Sequence, residues 1–353
     1  MANSANGSRS ILGVGIIGTG LAFQAIHARV LADLTPLFAI TAVWDSDVQR
    51  SAAAAAWLDV RAARDLDDLL ADPAVDLVVI ASPARFHAAQ AIAAMRAGKR
   101  AVLIEKPLCA TPDEADEIAT AARLSGAAVL VGAMHSSDPA WLAAEKVLAE
   151  ANFAPSLVRS SIVIPPNACF EDWATEAVVD AQDVGAARSP MQPAELMRLC
   201  VLELAIHDLP LVRRLLPQGA APCVLSARLR RPFGYAITLL AGGVLVDMSA
   251  IIHGNWETDW NLEATASDAR LKVAFTPSFV PAGSGTMIWQ TRQRTIVHEP
   301  AATNGYVGQW EAIAAILNGE RPAPDPCDLA EDFRFAWTIA EQAVSLLEHE
   351  VPS

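Results

Sequence analysis

This chain lacks long apolar runs. None of its hydrophobic stretches reaches the roughly 18 residues that a membrane-crossing helix needs, although 53% of its 353 residues are apolar. Met1 to Ser10 are small and polar, with neither a paired arginine nor an apolar export segment, so the expected compartment is the cytoplasm and no membrane partner is expected. Positive charge is scarce: 26 Lys and Arg stand against 40 Asp and Glu, a net charge of −14. With no basic patch to offset it, such a surface repels phosphate backbones, which argues against a nucleic-acid partner. Paired cysteines are missing too. Cys109, Cys169, Cys200, Cys223 and Cys327 stand singly without a CxxC, so no metal site is expected and the thiols read as reduced, small core hydrophobes. There is no internal repeat and no low-complexity linker.

The length fits two domains, each with its own core. Up to about residue 150, short runs that are apolar throughout alternate with helical stretches. The strands are residues 12–17, Phe38 to Trp44, Asp76 to Ala81, Ala101 to Ile104 and Ala127 to Val131; helices are expected to Leu34, over Asp47 to Trp57, Pro83 to Ala97 and Pro112 to Leu124. Strands with no polar face, separated by helices, mean a parallel sheet covered on both sides, a doubly wound Rossmann domain over residues 1–150. From residue 151 to 353 the pattern changes to successive strands: Leu157 to Ile164, Pro222 to Leu229, Tyr235 to Leu240, Gly243 to Ile252, Trp260 to Ala266 and Ala269 to Phe275. Joined by turns such as Ser267-Asp268, these predict an α+β domain with an open, mainly antiparallel sheet. A helical segment over Pro193 to Leu216 interrupts it. A helical block, Tyr306 to Leu317 and Leu329 to Glu348, closes the chain.

Gly18-Thr19-Gly20 follows the first strand and opens a helix at Leu21-Ala22. There, backbone N–H groups and the helix dipole can hold a pyrophosphate; the competing reading is a glycine turn in some other α/β protein. The third glycine of GxGxxG is replaced by Phe23, at a place where glycine serves close helix–strand packing. Asp45 ends the second strand, where a carboxylate accepts from ribose hydroxyls and repels a 2′-phosphate. Ser46 and Asp47 supply no cation, and the nearest arginine is Arg50. NAD is therefore expected as cofactor, in preference to NADP. The alternative for Asp45 is an N-cap of the following helix.

The combination of Gly18-Thr19-Gly20-Leu21-Ala22, His27, Ala81-Ser82-Pro83-x-x-x-His87 and Ala97-Gly98-Lys99-x-x-x-x-x-Glu105-Lys106-Pro107-Leu108 resembles the Gfo/Idh/MocA oxidoreductases, which include inositol dehydrogenases and glucose–fructose oxidoreductase. The resemblance implies NAD(P), Lys106 beside the nicotinamide and the reacting hydroxyl, and a cis Lys106–Pro107 peptide. It also implies a homodimer or homotetramer assembled through the C-terminal sheet. Its second signature, Asp-x-x-x-His, corresponds to Glu203-Leu204-Ala205-Ile206-His207. An α-helical i, i+4 spacing would put Glu203 and His207 on one face. Histidine is suited to take an alcohol's proton near neutral pH, and Glu203 is read as orienting the imidazole or binding a neighbouring hydroxyl.

Departures gather on the substrate side. Glu203 replaces the usual aspartate, Leu199-Cys200-Val201 replaces glycines, and Pro210 replaces an aspartate. Ala133-Met134-His135-Ser136-Ser137-Asp138-Pro139 lacks the usual arginine. Ser82, Pro83, His87 and Glu105 are assigned to the cofactor site, His27 to a structural or supporting role. Trp141, Trp173, Trp256, Trp260 and Trp310 are candidates for stacking on a sugar or cyclitol ring, against a plain core role. The expected activity is reversible oxidation of a secondary hydroxyl of a sugar, sugar derivative or cyclitol, with Lys106 polarising the oxygen and His207 exchanging the proton. Other chemistry on the same scaffold (an imine, an alkene or a dihydrodiol) and a non-catalytic NAD-binding regulator are the alternatives.

Overall fold

The computed structural model describes residues 11–165, 191–252, 258–277 and 283–349; Cys169, Trp173 and Trp256 lie outside them. The strands β1 (Leu12–Ile17), β4 (Leu77–Ile80) and β5 (Ala101–Ile104) are buried at every position, as strands covered on both faces must be. With β2 (Phe38–Trp44), β3 (Arg61–Ala62) and β6 (Ala128–Val131) they form a six-stranded parallel sheet in the order β3-β2-β1-β4-β5-β6. The chain winds outward from β1 in one direction and then from β4 in the other. The crevice above β1 and β4 is therefore the topological switch point, where ligands of such sheets sit. Gly18, Asp45, Ser82, Glu105 and Gly132 each follow the carboxyl end of a strand.

Local chemistry sets the covering helices. Asp47 caps α2 (Val48–Leu58) by accepting from the N–H groups of Gln49 and Arg50, so the capping role open to Asp45 belongs to Asp47. A capping box of Thr111 and Glu114 starts α5 (Pro112–Ser125), and Gly126 at φ +74° ends it. The helix expected from Pro83 begins as a 3-10 turn, Ala84–Phe86, before α4 (His87–Arg96). After the glycine turn, Phe23–His27 is wound as a π-helix ahead of α1 (Ala28–Asp33). Phe23, fully buried, fills the core against Val14 and Ile16 at the point where that π segment begins. The short helix α3 (Leu66–Leu70) precedes β4.

The second sheet has eight strands: β7 (Leu157–Ile164), β8 (Pro222–Leu229), β9 (Gly234–Ala241), β10 (Val244–Ile252), β11 (Asp259–Thr265), β12 (Ala269–Ala274), β13 (Thr286–Thr291) and β14 (Thr295–His298). Their order is β14-β13-β12-β11-β7-β10-β9-β8. All neighbours pair antiparallel except β7 and β10, which run parallel. β13, β14 and the helix α6 (Pro139–Glu150), capped by Asp138, have no counterpart in the sequence expectation.

Helices cover one face of this sheet, in a core that includes Leu196, Met197, Phe335 and Ile339. Leu225, Leu240, Ile288 and Val297 remain exposed on it. The last two helices return to the first domain. α9 (Gly305–Leu317) places Trp310 and Ile313 against one side of the parallel sheet, and α10 (Pro326–His349) places Ala330 and Phe333 against the other. Among the described residues no helix is long and apolar enough to cross a membrane.

The segment expected as one helix from Pro193 to Leu216 is broken into four. α7 (Pro193–Leu199) gives way to a π-helix, Cys200–Leu204, then to a 3-10 turn, Ala205–His207, and then to α8 (Leu209–Leu215). Pro210 sits in the first turn of α8, where no backbone donor is needed. Glu203 and His207 are thus not related by a regular α-helical spacing. Both still face the same cavity.

Candidate active site

A cavity of about 390 Å³ opens above the carboxyl ends of β1, β4 and β5. Ser82, Glu105 and Lys106, at the strand ends, form its floor and Glu203 and His207 a wall; Ala22 and Ile26 also line it, and Ile164, Phe233 and Ile252 of the second domain add apolar side chains. Of the residues expected in the site, Ala22, Ser82, Pro83, Glu105, Lys106, Glu203 and His207 meet here. Gly18, Thr19, Gly20, Leu21 and Asp45 lie outside this lining, at the ends of β1 and β2.

Lys106 follows β5 through a cis peptide to Pro107. Its Nζ donates to Glu203 Oε2 at 2.6 Å and to the Glu203 carbonyl oxygen at 3.2 Å. Glu203 therefore holds the lysine, not the imidazole. Behind Lys106, Glu105 Oε1 meets His27 Nε2 at 2.8 Å and Oε2 accepts the Lys106 N–H at 3.2 Å. Burial pushes the Glu105 carboxyl up, but the His27 hydrogen bond, with the charges of His27 and Lys106, outweighs it and leaves the group below its ordinary value. A methyl group on Gly132 would lie 2.9 Å from the Glu105 carboxylate, so only glycine leaves that carboxylate its place.

His207 is 5% exposed, and its Nδ1 is buried without a hydrogen-bond partner. Burial, then the charges of Lys106 and His135, push its pKa well below the usual histidine value, so the ring is neutral near pH 7 and can accept a proton. His87 is buried beneath the floor. Its Nδ1 faces Pro107 O at 2.9 Å and its Nε2 faces Ser82 O at 2.7 Å, which ties two strand-end turns together. Ser82 Oγ reaches Gln90 Oε1 at 2.6 Å.

At the dinucleotide end, Gly18 has φ +90°, and a methyl group there would lie 2.7 Å from Ser82 N. Gly20 is open: a methyl group on it would have Arg50 Nη1, at 3.9 Å, as its nearest neighbour. Asp45 Oδ2 accepts from Thr19 N at 2.8 Å and from Thr19 Oγ1 at 3.2 Å, and Oδ1 accepts from Asp47 N at 2.9 Å. The carboxylate is thus fixed to the glycine turn. Arg50, which sequence spacing leaves five residues away, points its guanidinium to the same turn and to Asp47 Oδ2 at 3.7 Å.

Trp141, Trp260 and Trp310 are 0–2% exposed and belong to the cores, so the stacking role fails for these three candidates. Cys109 and Cys200 are buried with thiols pushed up by burial to about 12 and about 11. No group of metal-ligating side chains occurs among the described residues. Sequence reasoning missed Tyr306, whose only signal was the Asn304 cap that starts α9, and the apolar lid from β7 and β10. It also missed a buried network behind His207. There Asp208 Oδ1 meets His135 Nδ1 at 2.9 Å, and Asp208 Oδ2 accepts from Ser160 Oγ at 2.6 Å.

An inositol 2-dehydrogenase of Saccharopolyspora erythraea is 35% identical over 153 residues, covering 43% of this chain and 44% of that protein. The scyllo-inositol 2-dehydrogenase (NADP(+)) of Bacillus subtilis is 30% identical over 142 residues, 39% and 37% of the two chains. The matching stretch thus spans less than half the length of these curated relatives. Over nearly the whole chain the fold is that of UDP-N-acetylglucosamine 3-dehydrogenase from Acidithiobacillus ferrooxidans, with a TM-score of 0.73, 22% identity and coverage of 96% of this chain and 99% of that one. Residues 12–133 match the oxidoreductase family with an NAD-binding Rossmann fold, GFO_IDH_MocA.

Proposed function

We propose that this chain is an NAD-dependent oxidoreductase acting on a secondary hydroxyl, or the matching ketone, of a sugar, sugar derivative or cyclitol. The observation that carries this reading is the meeting of the Lys106 ammonium and the neutral, buried His207 in one cavity at the switch point of the parallel sheet. The substrate class draws on the similarity to inositol 2-dehydrogenases.

The dinucleotide end fits such a cofactor. Gly20 leaves open space beside the helix start, where a side chain would stand in the way of a pyrophosphate. Asp45 offers a carboxylate fixed in place for the ribose hydroxyls and repels a 2′-phosphate. On that ground the preferred cofactor is NAD over NADP, with Arg50 held partly by Asp47. Bound NAD supplies the hydride acceptor.

The chain's own groups do the rest. Lys106 donates to the substrate oxygen and stabilises the negative charge that builds there as the O–H bond breaks. Glu203 keeps the ammonium at that spot. His207 takes the hydroxyl proton while the carbinol C–H leaves as hydride and the C=O bond forms; the reverse reaction returns both. Ile164, Phe233 and Ile252 keep water out, which strengthens each of these interactions. Subunits are proposed to associate, as a homodimer or homotetramer, through the open sheet face bearing Leu225, Leu240, Ile288 and Val297.

The test is nicotinamide absorbance with NAD and with NADP, across inositols, aldoses, uronates and amino sugars. Turnover with at least one of these, lost by about 100-fold or more in Lys106→Met and His207→Asn while NAD still binds, is the expected result. NAD binding with no turnover across the panel would favour a regulator. Full rates in either variant would remove the assigned roles.

A further inference from the structure

Ile164, Phe233 and Ile252 are the second domain's strand-end contribution to the cavity, and they make one apolar patch. Ile164 and Ile252 pair across the parallel β7–β10 ladder, and the Ile252 N–H donates to the Phe233 carbonyl oxygen at 3.0 Å. Side chains two apart along a strand share a face. The two isoleucines therefore continue the inward positions of Ile162 and Ala250, which are buried in the core. Ile164 is itself a core residue, whereas Phe233 and Ile252 are half-buried against that core. All three line the cavity.

The polar side chains of the cavity come from other elements. Among the described residues they are Ser82, Glu105, Lys106, Glu203, His207 and Tyr306. Ser82 is engaged by Gln90, and Glu105 by His27 and the Lys106 N–H. Tyr306 packs with Ile26 and Met134 of the first domain. Lys106, Glu203 and His207 thus form the polar group that meets the reacting carbinol. The dinucleotide, held at the strand ends of the first domain, enters over Ser82 and Pro83, so the apolar patch of the second domain is left to the substrate. A substrate hydroxyl turned toward that patch gives up its water and finds no side-chain partner there. A methyl or methylene group in the same place gains by burial.

We infer that Ile164, Phe233 and Ile252 are a specificity-determining subsite that selects a substrate with no hydroxyl on the side facing them: a deoxygenated or methyl-bearing sugar or cyclitol, in preference to a ring hydroxylated all round. This rests on the oxidoreductase reading above and narrows its substrate class. The chosen molecule has two unlike sides. One carries the carbinol that meets Lys106 and His207; the other is bare carbon against the two isoleucines and the phenylalanine.

The test measures kcat/KM of the full chain with NAD on pairs of substrates that differ by one oxygen: 6-deoxyhexoses against their parent hexoses, and deoxyinositols against inositols. In at least one pair the deoxygenated member should exceed its parent by about 10-fold or more, the scale on which an apolar pocket rejects an added hydroxyl. Ile252→Thr and Ile252→Val then locate the effect. The two new side chains have nearly the same shape and both suit a strand, but only threonine brings a hydroxyl. Threonine should shrink the preference by about 10-fold relative to valine, by raising the rate on the parent. Parents used as well as their deoxygenated partners in every pair, or an equal preference in the two variants, would overturn the subsite and leave the oxidoreductase reading standing. If no pair turns over, calorimetric binding to the NAD complex makes the same comparison. Tighter binding of a deoxygenated member keeps the subsite and defeats only the catalytic reading; equal binding, or none, defeats the subsite as well.

Discussion

Lys106 Nζ lies 2.6 Å from Glu203 Oε2, a contact between residues 97 apart that joins the floor of the cavity to the wall that carries His207. Neither side chain is deeply buried, at 23% and 38% exposure, so the pair contributes little to stability. Its importance is geometric: the ammonium is pinned beside the imidazole.

Glu203→Ala should therefore lower kcat by about 10- to 100-fold, because a positioned charge is lost. The melting temperature should move little, and NAD affinity, read by NADH fluorescence, should be unchanged. Glu203→Asp, shorter by one C–C bond of about 1.5 Å, should fall between wild type and alanine. A kcat equal to wild type in Glu203→Ala would show that Lys106 finds its position without this partner.

Gly132 tests the support beneath Lys106. An added methyl would stand 2.9 Å from the Glu105 carboxylate, which is itself fixed by His27. Gly132→Ala should destabilise the fold by about 1–3 kcal/mol, as overpacking does, and should lower kcat by displacing Glu105 and with it the Lys106 turn. Urea unfolding and steady-state rates on one preparation check both. Gly98→Ala is the control, since a methyl there meets nothing, although φ +79° imposes a backbone cost.

Much of this was legible in the sequence, for physical reasons. Fully apolar strands report burial on both faces, so β1, β4 and β5 could be read directly, and with them the strand ends that carry Gly18, Ser82 and Lys106. β13 and β14, half-exposed and rich in threonine and polar residues, give no such signal. The winding of the 200–207 segment was also hidden. Periodicity suggests an α-helix, and only tertiary packing selects a π turn followed by a 3-10 turn. The partner of Glu203 was illegible for a different reason: which base or acid a carboxylate meets depends on contacts 97 residues away.

His207 makes stability depend on pH. An unfolded histidine takes up its proton near pH 6.5, whereas the folded His207 does so only well below that value, because burial first, then Lys106 and His135, oppose the charged ring. Between the two values the unfolded chain binds more protons, so stability is lost as pH falls, by up to about 1.4 kcal/mol per pH unit. The contribution is complete above the unfolded value. Urea midpoints at about pH 7.5 and about pH 5.5 should show a larger drop for wild type than for His207→Asn. Equal drops would mean that the folded ring titrates normally.

Two cysteines should be inert in the native state. Cys109 and Cys200 are 1% and 0% exposed, and burial holds their thiols up at about 12 and about 11, so almost no thiolate forms near neutral pH. Exposed Cys223 and Cys327 should react first. Mass spectrometry of peptides after brief alkylation reads this directly, and early labelling at Cys200 would show that the helix behind His207 opens.

Asp45 tests the proposed preference for NAD over NADP. Its carboxylate is held by Thr19 and Asp47, and Arg50 is close by at the open Gly20. Asp45→Ser removes the repulsion of a 2′-phosphate and leaves the Arg50 cation to attract it. The ratio of kcat/KM for NADP to that for NAD should then rise by about 10-fold or more, with most of the change in KM. Arg50→Ala in the same background should take that gain away, because no other cation stands next to Asp45 in the sequence. The loss of the Thr19 hydrogen bonds should cost about 1 kcal/mol of stability. A wild-type enzyme that already prefers NADP, or an Asp45→Ser variant with an unchanged ratio, would show that the carboxylate fixes the glycine turn and does not select the nucleotide.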